Sequence, residues 1–110
     1  MPSPLPPPLK MITADIGGST YITVSGELDI HTAPRLQDRL AEESAKGGML
    51  VLDMEGVDFI DSSGIRVLVL AWQESQRDGF NLRLTRGSDT VMHALTLVGL
   101  LDELPFLGRS

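Results

Sequence analysis

The stretch MLVLDMEGVDFIDSSGIRVLVL, Met49 to Leu70, decides the fold. Its first four residues, Met49-Leu50-Val51-Leu52, form a short apolar run bounded by Gly48 and Asp53. Such a run reads as a central strand, buried on both faces or on one face with a tight neighbour. The last part begins a segment from Ile65 to Asp78 that is far longer than an ordinary strand of about 5–6 residues. Length therefore predicts a helix, closed by Gly79. Between them, Asp53 to Ile60 reads as a connection that ends in Asp61-Ser62-Ser63-Gly64. A hydroxyl at this strand-to-helix junction is exposed, oriented and beside a carboxylate, which suits a covalent switch. The plain structural role of Ser62 is a helix N-cap, its hydroxyl accepting a backbone N–H for about 1 kcal/mol.

Periodicity within the helix is harder to read, because Val67-Leu68-Val69-Leu70 is apolar throughout. A helical wheel groups Ile65, Leu68, Val69, Trp72 and Gln76 on one face. Arg66, Val67, Leu70, Gln73, Glu74 and Arg77 fall on the other. This assignment leaves Val67 and Leu70 as apolar side chains on the wet face, one turn from Ser62-Ser63. They are either solitary exposed residues of an ordinary kind or a partner footprint.

Working outward, Met11 to Ile16 and Thr20 to Ser25 are β-rich and joined through Gly17-Gly18-Ser19, which predicts a hairpin. Gly26-Glu27-Leu28-Asp29 is read as the end of that strand. Thr32 as a cap, Pro34 in the first turn and a stripe of Ala33, Leu36, Leu40 and Ser44 predict a helix that Gly47-Gly48 stops. Beyond Gly79, Phe80 to Thr85 alternates as a strand. Ser88 or Asp89 then caps a last helix carrying Val91, Met92, Leu95 and Val98. Gly99 ends it, and Leu100-Leu101 folds back onto the body. The order β-β-α-β-α-β-α predicts an α/β fold with a small mixed sheet of four to five strands and helices packed mainly on one side.

The chain has 110 residues, no cysteine and a formal net charge of −6. That length suits one domain, here expected over residues 11–107, with a proline-rich tail over 1–10 and a short tail over 108–110. No basic stripe of the kind that binds nucleic acid is visible. The longest apolar run, Val67 to Trp72, is far short of the ~20 residues needed to span a bilayer. Two isolated histidines and scattered carboxylates lack metal-ligand spacing, so neither a metal nor a cofactor is expected. A serine hydrolase needs a base beside its nucleophile. His31, at the mouth of the first helix, is the candidate to approach Ser62, but the surroundings are not a Gly-x-Ser-x-Gly elbow. An enzyme is therefore not expected.

Four pieces of the chain carry a family resemblance: Gly26-Glu27-Leu28-Asp29, Thr32-Ala33-Pro34-Arg35-Leu36, Val51-Leu52-Asp53 and Asp61-Ser62-Ser63-Gly64. A weaker fifth is Ala94-Leu95-Thr96-Leu97-Val98-Gly99-Leu100. With this element order the chain resembles the STAS domain of bacterial anti-sigma factor antagonists, from Met11 to Phe106. The resemblance implies a cytoplasmic switch protein, a monomer or weak dimer. Its unphosphorylated form binds an anti-sigma factor that is also a serine kinase, and this releases a sigma factor. By position, Ser62 is the phosphoacceptor, Ser63 and Gly64 are its neighbours, Asp61 helps hold the loop, and Asp29 is a second acidic residue beside the site. The family often has glycine where this chain has Arg66, which puts a cation one turn from the phosphoacceptor. Val67 and Leu70 complete the candidate docking face. A phosphatase that resets the site is a further partner the resemblance leaves open. An interaction scaffold in a transporter or signalling assembly is the alternative role.

Overall fold

The computed structural model describes residues 9–107; the expected proline-rich tail through Pro8 and the tail over 108–110 lie outside the described residues. Leu9 is buried, and Lys10 belongs to the first strand. Strand β1 spans Lys10–Ile16 and β2 spans Ser19–Leu28. Helix α1 spans Ala33–Ser44, β3 Met49–Ile60, α2 Ser62–Asp78, β4 Asn81–Leu84 and α3 Asp89–Leu97. The sheet runs β1-β2-β3-β4, as expected a mixed one: β1 and β2 pair antiparallel, and β2–β3 and β3–β4 pair parallel.

The hairpin turns on Gly17 and Gly18, with φ of 59° and 83°. Two consecutive left-handed residues match the twist of the flanking strands, and glycine takes that conformation without a Cβ clash. Each parallel pairing requires a crossover, and α1 and α2 supply them. Ile22 and Val24 of β2 and Leu50, Leu52 and Met54 of β3 form one core cluster with Leu36 and Leu40 of α1, Val67 and Leu68 of α2, and Val91 and Leu95 of α3. All three helices thus draw on one apolar interior. On the opposite face Ile12 and Ile16 remain more than half exposed.

Both central strands are longer than their sequence suggests. β2 does not stop at Ser25 but continues to Leu28, and β3 runs through to Ile60. The register explains why. After the pair Thr23–Asp53 the ladder shifts, and it resumes as Ser25–Gly56, Gly26–Val57, Glu27–Phe59 and Leu28–Ile60. The bulge breaks the two-residue alternation that marks a strand in sequence. In β3 the buried positions beyond it are Met54, Val57 and Ile60, three apart, so this half of β3 is read as a connection. The consequence is functional: paired strands carry Leu28 and Ile60 side by side to the same end of the sheet.

The helix start signals are used differently from expectation in α1. Thr32 occupies the N-cap position but its side chain makes no cap hydrogen bond. Its Oγ1 donates instead to the Glu27 carbonyl at 2.6 Å and accepts from the Asp29 N–H at 2.9 Å. Ser88 caps α3, accepting from the Val91 N–H. Val98 lies past the end of α3 and is exposed, not on its buried stripe.

Candidate functional site

The site is built where β2 and β3 end together. The Asp61 N–H donates to the Leu28 carbonyl at 3.0 Å, tying the two strand ends just before α2 begins. The Asp61 side chain then accepts from the backbone N–H groups of Ser63 at 2.8 Å and Gly64 at 3.3 Å. Asp61, not Ser62, is therefore the N-cap of α2. A carboxylate there satisfies two orphan helix donors and complements the positive end of the helix. The expectation that Ser62 serves as the cap is corrected, and the correction leaves its hydroxyl uncommitted: Ser62 is the first helical residue and is exposed.

Gly64 explains how close this end of α2 comes to the strands. A Cβ added there would sit 2.7 Å from Ile60 Cγ1, 2.8 Å from Leu28 Cβ and 3.0 Å from the Leu28 carbonyl oxygen. No side chain fits at those distances, so glycine lets the first turn of α2 press onto the strand ends. That contact sets the rotation of the whole helix. The buried residues of α2 are Gly64, Val67, Leu68, Ala71 and Ser75. The wheel that places Ile65, Val69 and Gln76 inward is thus rotated by about one residue, or ~100°. Val67 is 5 % exposed, against the expectation of an exposed residue, whereas Gln76 is exposed. Leu70 keeps part of its surface in solvent.

Asp29 organises the neighbouring turn. Its Oδ1 accepts from the N–H of His31 at 2.9 Å and of Thr32 at 3.0 Å. Hydrogen bonds from the Thr32 and then the His31 backbone hold its carboxyl below the ordinary carboxylate range. This turn, from Asp29 to Thr32, follows directly from Leu28, the residue that anchors Asp61. The two acidic residues of the candidate site thus each hold a backbone loop, one at the start of α1 and one at the start of α2. His31 has its backbone engaged with Asp29 and its side chain on the surface.

Between the two helices lies a groove of about 190 Å³ lined by Ile30, Ala33, Pro34, Gln37, Ser63, Arg66, Val67 and Leu70. It brings together four of the residues picked from sequence: Ser63, Arg66, Val67 and Leu70. Ser62 adjoins it through Ser63. Val67 forms part of the floor rather than a protruding knob, and Arg66 stands exposed at the rim. Sequence reading missed Ile30, which is 67 % exposed beside the groove. The available signal was a branched apolar side chain alone in the polar turn Asp29-Ile30-His31-Thr32. No helix among the described residues is long and apolar enough to cross a membrane.

Comparison with known proteins agrees with this geometry. The STAS domain family model matches residues 10–108. An anti-sigma-B factor antagonist of Bacillus subtilis is 26 % identical over 89 residues, covering 81 % of this chain and 82 % of the relative. One from Listeria monocytogenes is 32 % identical over 82 residues, covering 74 % and 72 %. Among solved structures, an anti-sigma factor antagonist from Mycobacterium paratuberculosis superposes with a TM-score of 0.81 at 24 % identity, covering 92 % of this chain and 86 % of the other. The Bacillus cell fate determinant SpoIIAA in its phosphorylated form gives 0.68 at 18 % identity, covering 92 % of both. By matched length, by identity over most of both chains and by fold, this chain belongs to the STAS domain family and groups with its anti-sigma factor antagonists.

Proposed function

We propose that this chain docks onto an anti-sigma factor through the α1–α2 groove, so releasing a sigma factor, and that phosphorylation of Ser62 by a serine kinase activity of that partner ends the complex. The observation that carries this reading is the division of labour at the start of α2: Asp61 caps the helix, and the Ser62 hydroxyl is exposed and spare. A relative of the same fold exists in a phosphorylated form, which supports a covalent switch in this architecture.

The physics favours a change of binding over a change of fold. A phosphate adds about −1.5 to −2 charges. The N-terminus of α2 favours an anion by ~0.3–1 kcal/mol, and the Asp61 carboxylate one residue away opposes it. These partly cancel within the domain, which already tolerates solvent at Ser62. At a docked surface no water screens the dianion, and ~1.4 kcal/mol of repulsion or lost hydration is already tenfold in affinity.

The test uses the cognate anti-sigma factor and ATP. Ser62→Ala is expected to bind constitutively and to take up no phosphate. Ser62→Asp, folded by circular dichroism, is expected to bind about tenfold or more weakly. Mass spectrometry of the wild type after incubation is expected to locate the phosphate on Ser62. Equal affinities for the two variants, or phosphate on another residue, would overturn the reading.

A further inference from the structure

The two edges of the sheet are treated differently. The outer edge of β4 is met at its last residue by the chain's own C-terminal segment: the Leu84 N–H donates to the Pro105 carbonyl at 3.0 Å, the Leu107 N–H to the Leu84 carbonyl at 2.7 Å, and Leu84 bridges to Phe106. Among the described residues the outer edge of β1 has no such cover, since no backbone hydrogen bond reaches it from outside the hairpin. It is seven residues long. Ile16 and Ser19 flank a two-residue turn and so exchange their hydrogen bonds. By alternation, the N–H and C=O groups of Met11, Thr13 and Asp15 point outward. An edge of this length, unpaired among the described residues, is a template for another strand. Beside it, on the face away from the helices, Ile12 and Ile16 are 57 % and 61 % exposed.

We propose that the β1 edge is a self-association surface, pairing antiparallel with β1 of a second copy about a two-fold axis at Ala14. The sequence Lys10-Met11-Ile12-Thr13-Ala14-Asp15-Ile16 is complementary to itself in this register. Ile12 lies opposite Ile16 of the second copy on the open face, twice over, with the two Ala14 side chains between them. Thr13 lies opposite Asp15 of the second copy on the helix side, and these outward-pointing residues exchange backbone hydrogen bonds. Charge selects the same register. Arg39 on α1 reaches down to the edge strand, its Nη1 donating to Thr13 Oγ1 at 2.7 Å. With the axis at Ala14, each Arg39 therefore meets Asp15 of the second copy, a carboxylate that within its own copy also accepts from Thr20 Oγ1 at 2.9 Å and lies 3.7 Å from Lys46 Nζ. Sliding the axis to Thr13 keeps the faces matched but brings the two Arg39 side chains toward each other and leaves each isoleucine facing Ala14 or Lys10. Isologous pairing of this kind closes as a two-fold dimer with one continuous eight-stranded sheet, whose outer β4 edges each carry the Leu84–Phe106 bridge. The β1 edge is also remote from the switch. Its turn at Gly17-Gly18 approaches Gly48, at the end of the sheet where β3 begins, whereas Ser62 follows the other end.

The chain's lack of cysteine makes the register directly readable. At the axis, the Ala14 pair is of the non-hydrogen-bonded type, with Cα atoms about 4.5 Å apart, inside the ~4.4–6.8 Å that a disulfide spans. At Ile12 the same residue of the second copy is four positions out of register, about 13 Å away. Under mild oxidation Ala14→Cys is expected to give covalent dimer at least about tenfold faster than Ile12→Cys. Sedimentation of the wild type is expected to show concentration-dependent dimer, weakened about tenfold or more by Ala14→Lys, which sets two like charges face to face. Similar cross-linking rates for the two cysteine variants would overturn the register. A wild type that sediments as monomer at every concentration, with no preferred cross-link, would overturn the proposal and leave the edge for a strand of another protein.

Discussion

At the scale of single residues, the site depends on one carboxylate and one missing side chain. Asp61 takes the capping role, and that leaves the Ser62 hydroxyl uncommitted and exposed. Gly64 allows the helix start to lie against Leu28 and Ile60. Gly64→Ala is therefore expected to lower stability by about 1–3 kcal/mol, since of the obstructing atoms only Ile60 Cγ1 can rotate away, and the Leu28 Cβ and carbonyl oxygen cannot. Urea unfolding measures it, and an unchanged midpoint would mean that the helix start shifts freely. Asp29 has a pH signature. Because the Thr32 and His31 N–H groups lower its folded pKa, its contribution to stability is complete above the unfolded carboxyl value of about 3.9 and is lost as pH falls through the lower folded value. Asp29→Asn should flatten the acid limb of a stability–pH curve and leave its shape near neutrality unchanged. A parallel acid limb in wild type and variant would exclude this role. Ser62, Asp61 and Gly64 were all legible as a motif. Which of them caps the helix was not, because Asp and Ser are equally good caps and only the backbone decides between adjacent candidates.

At the scale of elements, α2 shows why a purely apolar run is a poor guide. Val67 to Leu70 offers no polar residue to fix the wheel, so the buried face is set by Gly64 at the first turn, which periodicity counts as no signal at all. The result moves Val67 into the floor of the α1–α2 groove and leaves Leu70 partly exposed beside Ile30. Leu70→Glu and Ile30→Glu are expected to keep the fold and to weaken binding of the anti-sigma partner about tenfold or more each, with an added penalty of desolvating the new carboxylate. Calorimetric titration checks this, and unchanged affinity for both would remove the groove from the docking surface. Val67→Glu is a different case, since a buried position would lose stability first. The β2–β3 pair makes the complementary point. Its first half is recognisable from the apolar run, and its second half is hidden by the bulge between Thr23–Asp53 and Ser25–Gly56.

At the scale of the whole molecule, the arrangement of the sheet separates the candidate site at one end from an edge at one side that is uncovered among the described residues. The closed edge depends on the C-terminal segment. Phe106 is 5 % exposed and bridges Leu84, so Phe106→Ala should lower stability by about 3–5 kcal/mol. A loss below about 1 kcal/mol in denaturant unfolding would show that this cover is peripheral. From sequence alone, Leu100-Leu101 was expected to fold back, but nothing local marks Pro105 to Leu107 as a strand-like cover, because its partner Leu84 lies about twenty residues away. Local chemistry did determine much of this protein: the order of strands and helices, the glycine turn of the hairpin, the place of Asp61-Ser62-Ser63-Gly64 between strand and helix, and the mixed sheet that crossover connections require. These features follow from backbone geometry and hydrophobic patterning within a few residues. The rotation of α2, the groove shared by Ile30 and Leu70, the uncommitted Ser62 hydroxyl and the bridging of β4 by the C-terminal segment were decided only by tertiary structure. Each depends on how closely segments distant in the chain approach one another, and close approach is set by packing across the core rather than by the preferences of the residues that meet there.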